Sequence, residues 1–295
     1  MRYGSAAAFR HALEDRLKLH SQRDGARLAR LRKQVAFDRL LARFAQVAPD
    51  GWALKGGFAL QLRLADRART TRDVDLAWSV REDELVETLI EASIQDPGDF
   101  FTFRVERTAA DPDRMGGAYR FRVDASLAGR LFETFLLDVG EGDADTTSQA
   151  DVLPTPNLLE FAGIEPVIVP VIPLARHLAE KLHAYTRLYD GDRVSTRTKD
   201  LIDMVLIADL FSPDADGLLA EVQRVFAVRG THELPPALPK PPADWRVPYR
   251  QLAVEVGLNP DLDAGHAAAA ALLDPVLQNA VLSMTWNPKT QRWDR

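Results

Sequence analysis

Between residues 5 and 47, Leu13, Leu17, Leu28, Leu31, Val35, Phe37, Leu40, Leu41 and Phe44 recur at roughly helical spacing, with arginines filling the intervals. This predicts helix, with Gly25 as the point where the run can break. Ala48-Pro49-Asp50-Gly51 ends the pattern. Trp52 to Lys55 then reads as a short strand ending at Gly56-Gly57. Phe58 to Leu64 gives one or two helical turns, and Val74 to Trp78 a second strand. Glu82 to Gln95 is amphipathic, with Leu85, Val86, Leu89, Ile90 and Ile94 on one side. Phe101 to Glu106 and Tyr119 to Ala125 alternate as strands, with Met115-Gly116-Gly117 as turn material before the second. Phe132 to Val139 is a further strand, closed by Gly140-Glu141-Gly142-Asp143. Past residue 155 the period becomes helical, at Ile172 to Tyr189, Thr198 to Leu210, 214–228 and 264–284. Prolines at 235–242 stiffen the connection between the last two. The expected layout is α+β: a basic helical segment at 1–45, a mixed-sheet lobe at 46–155 and a helical C-terminal lobe at 156–295.

The 295 residues are 46% hydrophobic and 27% charged, the composition of a folded globular chain. The chain has no cysteine, which excludes disulfides, thiolate nucleophiles and cysteine zinc sites. No apolar run approaches the roughly 20 residues of a membrane helix, and the N-terminus lacks the apolar core of a signal peptide. A cytoplasmic location is the expectation. The net charge of −6 is unevenly spread. Residues 1–45 carry eleven Lys and Arg against four acids, a balance of +7 that leaves −13 for the rest. Such a segment can bind a polyanion. It can equally be a solvated helix face.

Asp73 and Asp75 are two apart on a predicted strand, so both carboxylates face one way. That is costly without a cation. Magnesium suits the pair, since it takes one or two carboxylates together with phosphate oxygens and water. The Gly56-Gly57 turn can offer backbone N–H groups to a phosphate, at the start of a helix. Asp138 lies in the apolar run Phe135-Leu136-Leu137-Asp138-Val139, where a charge needs a partner or a metal. It is either a third carboxylate for a two-ion site or a strand-end cap on the Gly140 turn. Farther on, Glu180-Lys181-Leu182-His183 sits on one predicted helix and Asp200 with Asp203 on the next, at a spacing that shares a face. Lys181 is then either a phosphate ligand oriented by an aspartate or half of a buried bridge between helices. Arg63, Arg67, Arg69 and Arg72 crowd the approach to Asp73. They can grip a triphosphate or lie in a solvated loop. The histidines show no metal-ligand spacing.

Taken in order, Lys55-Gly56-Gly57-Phe58-Ala59-Leu60, Arg69-Thr70-Thr71-Arg72-Asp73-Val74-Asp75-Leu76, Glu180-Lys181-Leu182-His183-Ala184 and Lys199-Asp200-Leu201-Ile202-Asp203 resemble the AbiEii/AbiGii nucleotidyltransferase toxins, and within them the MenT-type toxins. The likeness covers roughly residues 50–210. It implies a DNA-polymerase-β-like nucleotidyltransferase core followed by a helical lobe. It also implies metal ligands at Asp73, Asp75 and Asp138 for two Mg2+ ions, with NTP as substrate. Gly56, Gly57, Arg63, Arg72 and Lys181 would meet the nucleotide, and Asp200 or Asp203 would be the acidic residue after the motif lysine. Such toxins act beside an antitoxin in bacterial growth control or phage defence, and some add nucleotides to the 3′ end of tRNA and block translation. Two positions depart from the family pattern. Gly56-Gly57 stands where Gly-Ser is common, and Phe58 where Ser or Thr is common, so no hydroxyl is offered to the phosphates there.

Overall fold

A computed structural model describes residues 1–79, 81–108, 119–142, 147–189, 193–194 and 197–295. The chain divides into two compact units: Met1–Ala65 with Thr70–Ile172, and Asp66–Arg69 with Pro173–Arg295. The sequence suggested boundaries at 45 and 155 instead. The opening helices belong to the first unit because their apolar side chains enter the core of its sheet.

The first unit opens with α1 (Ala6–His20) and α2 (Gly25–Val47). The side chain of Ser5 accepts from the Ala8 N–H at the first helix start, and Asp24 accepts from Arg27 at the second. That second cap is why the run breaks before Gly25 rather than continuing through it. There follow β1 (Trp52–Lys55), α3 (Gly56–Leu64), β2 (Asp73–Trp78), α4 (Glu82–Ile94), β3 (Phe101–Arg107), β4 (Tyr119–Leu127), β5 (Arg130–Glu141), β6 (Asp151–Pro154) and β7 (Ile168–Val171). The strands form one seven-stranded sheet in the order β3-β4-β5-β2-β1-β7-β6. It is mixed: β2 with β5 and β1 with β7 are parallel, and the other pairs antiparallel. The turn expected at Met115-Gly116-Gly117 and the Asp143 end of the turn after β5 lie outside the described residues.

Alternation gives this sheet two unlike faces. Trp52, Leu54, Val74, Leu76, Trp78, Phe121, Val123, Phe135, Leu137 and Val139 join one core with Phe9, Leu13 and Leu17 of α1 and Val35 to Phe44 of α2. Helix α2 is buried on every side from Gln34 to Phe44, so the charges on that stretch need partners inside. Arg43 forks onto Asp99 at 2.8 and 2.9 Å, and Arg39 holds Asp38. The second face carries the polar side chains of β1, β2, β4 and β5.

The second unit is largely helical: α5 (Leu174–Thr186), α6 (Thr198–Leu210), α7 (Ala215–Arg229), α8 (Arg246–Glu255) and α9 (Leu262–Leu277). Short hairpins β8 (Leu188–Tyr189) with β9 (Arg193–Val194), and β10 (Thr285–Asn287) with β11 (Arg292–Asp294), complete it. The α+β layout read from the sequence, a mixed-sheet core followed by a helical lobe, is the one observed. Helix α9 stops at Leu277, short of the expected 284. Val276 and Asp274 carbonyls accept from Asn279 and Gln278, closing the last turn there.

Candidate active site

Strand pairing aligns the chemistry-bearing side chains in one row. Lys55 of β1 pairs with Asp75 of β2, Asp75 with Asp138 of β5, and Asp138 with Arg120 of β4. Directly paired residues lie on the same face, with neighbouring strands about 4.8 Å apart. The row across four strands therefore reads cation, carboxylate, carboxylate, cation. Asp73 adds a third carboxylate two residues back along β2, on the same side and level with Leu136. The three acids singled out in the sequence thus share one sheet face, opposite the apolar core.

Two glycines make room in this row. Gly56 begins α3 with φ +65°, and a Cβ there would fall 2.0 Å from Asp75 Oδ2. Backbone and carboxylate are in direct contact, which only glycine permits. On β5, a Cβ on Gly140 would lie 2.8 Å from Lys55 Nζ. The lysine therefore reaches from β1 across β2, and its amine rests over Gly140. Among the described residues Lys55 makes no ion pair.

Asp138 is nearly buried and takes a two-pronged bond from Arg120, at 2.7 Å from Nε and 3.0 Å from Nη2. The sequence reading offered Asp138 a metal or a turn cap. It did not anticipate an arginine. The signal was present, because alternation in Tyr119-Arg120-Phe121-Arg122-Val123 sends Arg120 to the face away from Phe121 and Val123. Among the described residues no three acid or imidazole groups form a ready seat for an ion. The donor chemistry still fits magnesium: Asp73 and Asp75 supply the one or two carboxylates it takes from protein. Asp138 lies in the same row, with Arg120 bonded to both of its oxygens.

Of the arginines expected near the phosphates, Arg63 is committed to Asp151 and to the Ile172 carbonyl. Arg72 is exposed and makes no ion pair among the described residues. In the second unit Arg67 bonds Asp209 at 2.8 Å. Arg69 forks onto the fully buried Asp203, at 2.8 Å from each nitrogen. Lys181 of α5 bonds Asp200 at 3.0 Å and Asp203 at 2.8 Å, both on α6. Burial opposes the charge of Lys181, but Asp200 and Asp203 outweigh it and hold the ammonium above the ordinary lysine range. Burial likewise opposes ionisation of Asp203, and Lys181 with Arg69 overcome it, leaving the carboxyl well below the usual range. Beside them on α5, burial and the charge of Arg229 push His183 down to about 3, so its ring is neutral at physiological pH.

The basic N-terminal segment is largely spent on its own fold. Arg10 donates to the carbonyls of Leu127, Arg130 and Leu131, and Arg32 to Glu14 and the Phe132 carbonyl. Lys33 bonds Glu133 and the Thr134 carbonyl, while Arg39 and Arg43 are buried.

The family model described as nucleotidyl transferase AbiEii toxin, type IV toxin–antitoxin system, matches residues 39–274. No curated protein matches the chain in sequence. Among solved structures, MenT4, a nucleotidyltransferase toxin from Mycobacterium tuberculosis H37Rv, superposes with a TM-score of 0.57 at 19% identity, covering 95% of this chain and 99% of that one. JHP933 from Helicobacter pylori superposes with a TM-score of 0.50 at 16% identity, covering 84% of this chain and 93% of that one. At such identities these two likenesses establish the fold.

Proposed function

We propose that this chain, which belongs to the AbiEii family of nucleotidyl transferase toxins of type IV toxin–antitoxin systems, moves a nucleoside monophosphate from an NTP to the terminal 3′ hydroxyl of a tRNA. The observation that carries the reading is the row Lys55, Asp75, Asp138, Arg120, with Asp73 beside it. It sets carboxylates for cations next to a lysine that makes no ion pair among the described residues, on the polar face of a sheet whose other face is core.

Asp73 and Asp75, joined by Asp138, would hold magnesium, which supplies charge neutralisation at the reacting phosphorus and the departing pyrophosphate. Gly56, having no Cβ, leaves the Asp75 carboxylate the space it occupies beside the turn. Lys55 gives its ammonium to phosphate oxygens, where charge accumulates as pyrophosphate leaves. Asp138, once released by Arg120, accepts the proton of the attacking hydroxyl. In the second unit, two of the three N–H donors of Lys181 are spent on Asp200 and Asp203. The third remains for a phosphate, and the two aspartates fix the direction of the amine.

The toxin-family membership gives the protein an antitoxin as a genetic partner. No helix among the described residues is long and apolar enough to cross a membrane, which fits an acceptor met in the cytoplasm. The test is incubation with each α-labelled NTP and separate pools of tRNA, protein and small acceptors, followed by sequencing of tRNA 3′ ends. The reading expects label on tRNA and extra 3′ nucleotides. Label on protein alone removes the tRNA acceptor, and label on nothing removes the transfer.

A further inference from the structure

Arg2, Arg16 and His20 border a cavity of about 290 Å³ in the first unit, together with Leu17, Asn157 and Phe161. Leu17 belongs to the core on the sheet's apolar side, so this cavity lies across the sheet from the carboxylate row. Both arginines are exposed at the cavity rim, and each is tethered along part of its length. The Arg2 backbone donates to the Ala162 carbonyl at 2.7 Å, and its stem packs against Gly163. The Arg16 guanidinium lies over the Phe161 ring, 4.5 Å from its centroid. Neither head group, nor the His20 ring, has an ion pair among the described residues, in contrast to Arg32, Lys33, Arg39 and Arg43 of α2. Glu160 is the acid in the lining, and its carboxylate already accepts from Asn157 Nδ2 at 3.0 Å.

Two arginines at one rim offer forked N–H donors to a planar or tetrahedral oxyanion. The edge of the Phe161 ring, whose faces meet Arg16 and Phe9, and the Asn157–Glu160 pair add an aromatic contact for a base and acceptors for its N–H groups. We propose that this cavity is a second nucleotide site, one that takes a phosphate between Arg2 and Arg16 and a base against Phe161 and Asn157. The nucleotide comes either from the free pool or from an RNA strand. The site is independent of the transfer chemistry proposed above, since it shares no residue with the carboxylate row.

The test is fluorescence anisotropy of the full chain with a labelled 12-nucleotide single-stranded RNA and, separately, a labelled nucleoside monophosphate. Both are titrated without magnesium at several salt concentrations. Asp75→Asn serves as the background, so loss of transfer does not enter the readout. The double variant Arg2→Ala/Arg16→Ala is expected to weaken binding about tenfold or more and to lower the salt slope for RNA by about one. Arg81→Ala, an exposed arginine elsewhere in the unit, is the control. Loss with RNA alone assigns the site to RNA, and loss with the monophosphate as well assigns it to free nucleotide. Unchanged affinity for both overturns the proposal. Because Arg16 also stacks on Phe161, the unmutated chain supplies a second measurement. Cross-linking with 4-thiouridine RNA and 8-azido nucleotide should place adducts on residues 157–161, and adducts found only elsewhere overturn it.

Discussion

Gly56 and Asp75 are packed so closely that no side chain fits between them: a Cβ on Gly56 would stand 2.6 Å from Asp75 Cγ and 2.9 Å from its Cβ. The glycine also sits at φ +65°, where an L-residue is strained by about 1–2 kcal/mol. Gly56→Ala should therefore do two separable things. Strain lowers stability by about 1–2 kcal/mol, read as a modest drop in the unfolding midpoint. Displacement of the Asp75 carboxylate lowers transfer far more, by about a hundredfold, with the NTP still bound. An alanine variant that folds and turns over at the parental rate would contradict the role given to this contact.

The reach of sequence reasoning is clearest at β2 and β5. Alternation alone put Asp73 and Asp75 on one side of a strand, because the side-chain period is two whatever the partner strand is. It could not say which residue of another strand lies beside them. That depends on register, which is a property of the assembled sheet. The neighbours of Asp75, namely Lys55 on one side and Asp138 on the other, were therefore legible as residues but not as a row. The strands β6 and β7 went unread for a different reason. Pro154 and Pro170 remove ladder donors, and β7 lies in a stretch whose apolar residues have no clean alternation. The charge of residues 1–45 was legible, but not that Arg39 and Arg43 are buried with Asp38 and Asp99. A count of charges does not reveal which of them are already paired.

Arg120 and magnesium compete for the oxygens of Asp138. Arg120→Gln keeps a donor of similar reach but removes the positive charge. The metal-free variant should lose about 3 kcal/mol, the cost of breaking a largely buried pair. Added magnesium should recover more stability in the variant than in the parent, because binding to the folded state alone raises its stability by mass action. Half-saturation of transfer should also shift to lower magnesium concentration. Identical magnesium titrations of both proteins would show that Asp138 does not meet the ion.

Lys55 offers a cleaner separation of catalysis from stability. Its amine rests over Gly140 with no ion pair among the described residues, so Lys55→Met should leave the unfolding midpoint within about 0.5 kcal/mol of the parent. If the amine meets the phosphates, the variant should show a raised KM for NTP and kcat reduced about tenfold to a hundredfold. Lys181→Met should lose stability as well. It strips one cation from the buried Asp203 and leaves only Arg69, so a loss of about 3 kcal/mol is expected before any change in rate is considered. Steady-state kinetics beside chemical denaturation of both variants would expose an assignment made the wrong way round.

The acid side of the stability profile should be set by His183 before the carboxylates titrate. Its ring lies against Phe226 and His232, and Thr231 Oγ1 bridges the two imidazoles at 2.9 Å from each. Burial, then the charges of Arg229, His232 and Arg187, hold its pKa at about 3 against an ordinary 6.5, and Glu180 opposes them only weakly. A lowered folded value means that the unfolded chain takes the proton first. The stability contributed by the neutral ring is therefore full above pH 6.5 and declines as pH falls from 6.5 toward 3. The Lys181–Asp203 pair follows a different schedule. Asp203 is held below 3.8 and Lys181 above 10.5, so its contribution stays level across the window in which His183 loses its own. His183→Gln preserves a polar side chain of similar size and removes the titration. Denaturation midpoints of the variant should thus fall less steeply between pH 6.5 and 4 than those of the parent, while the two run parallel from pH 7 to 9. Equal acid slopes in the two proteins would mean that other groups govern acid unfolding.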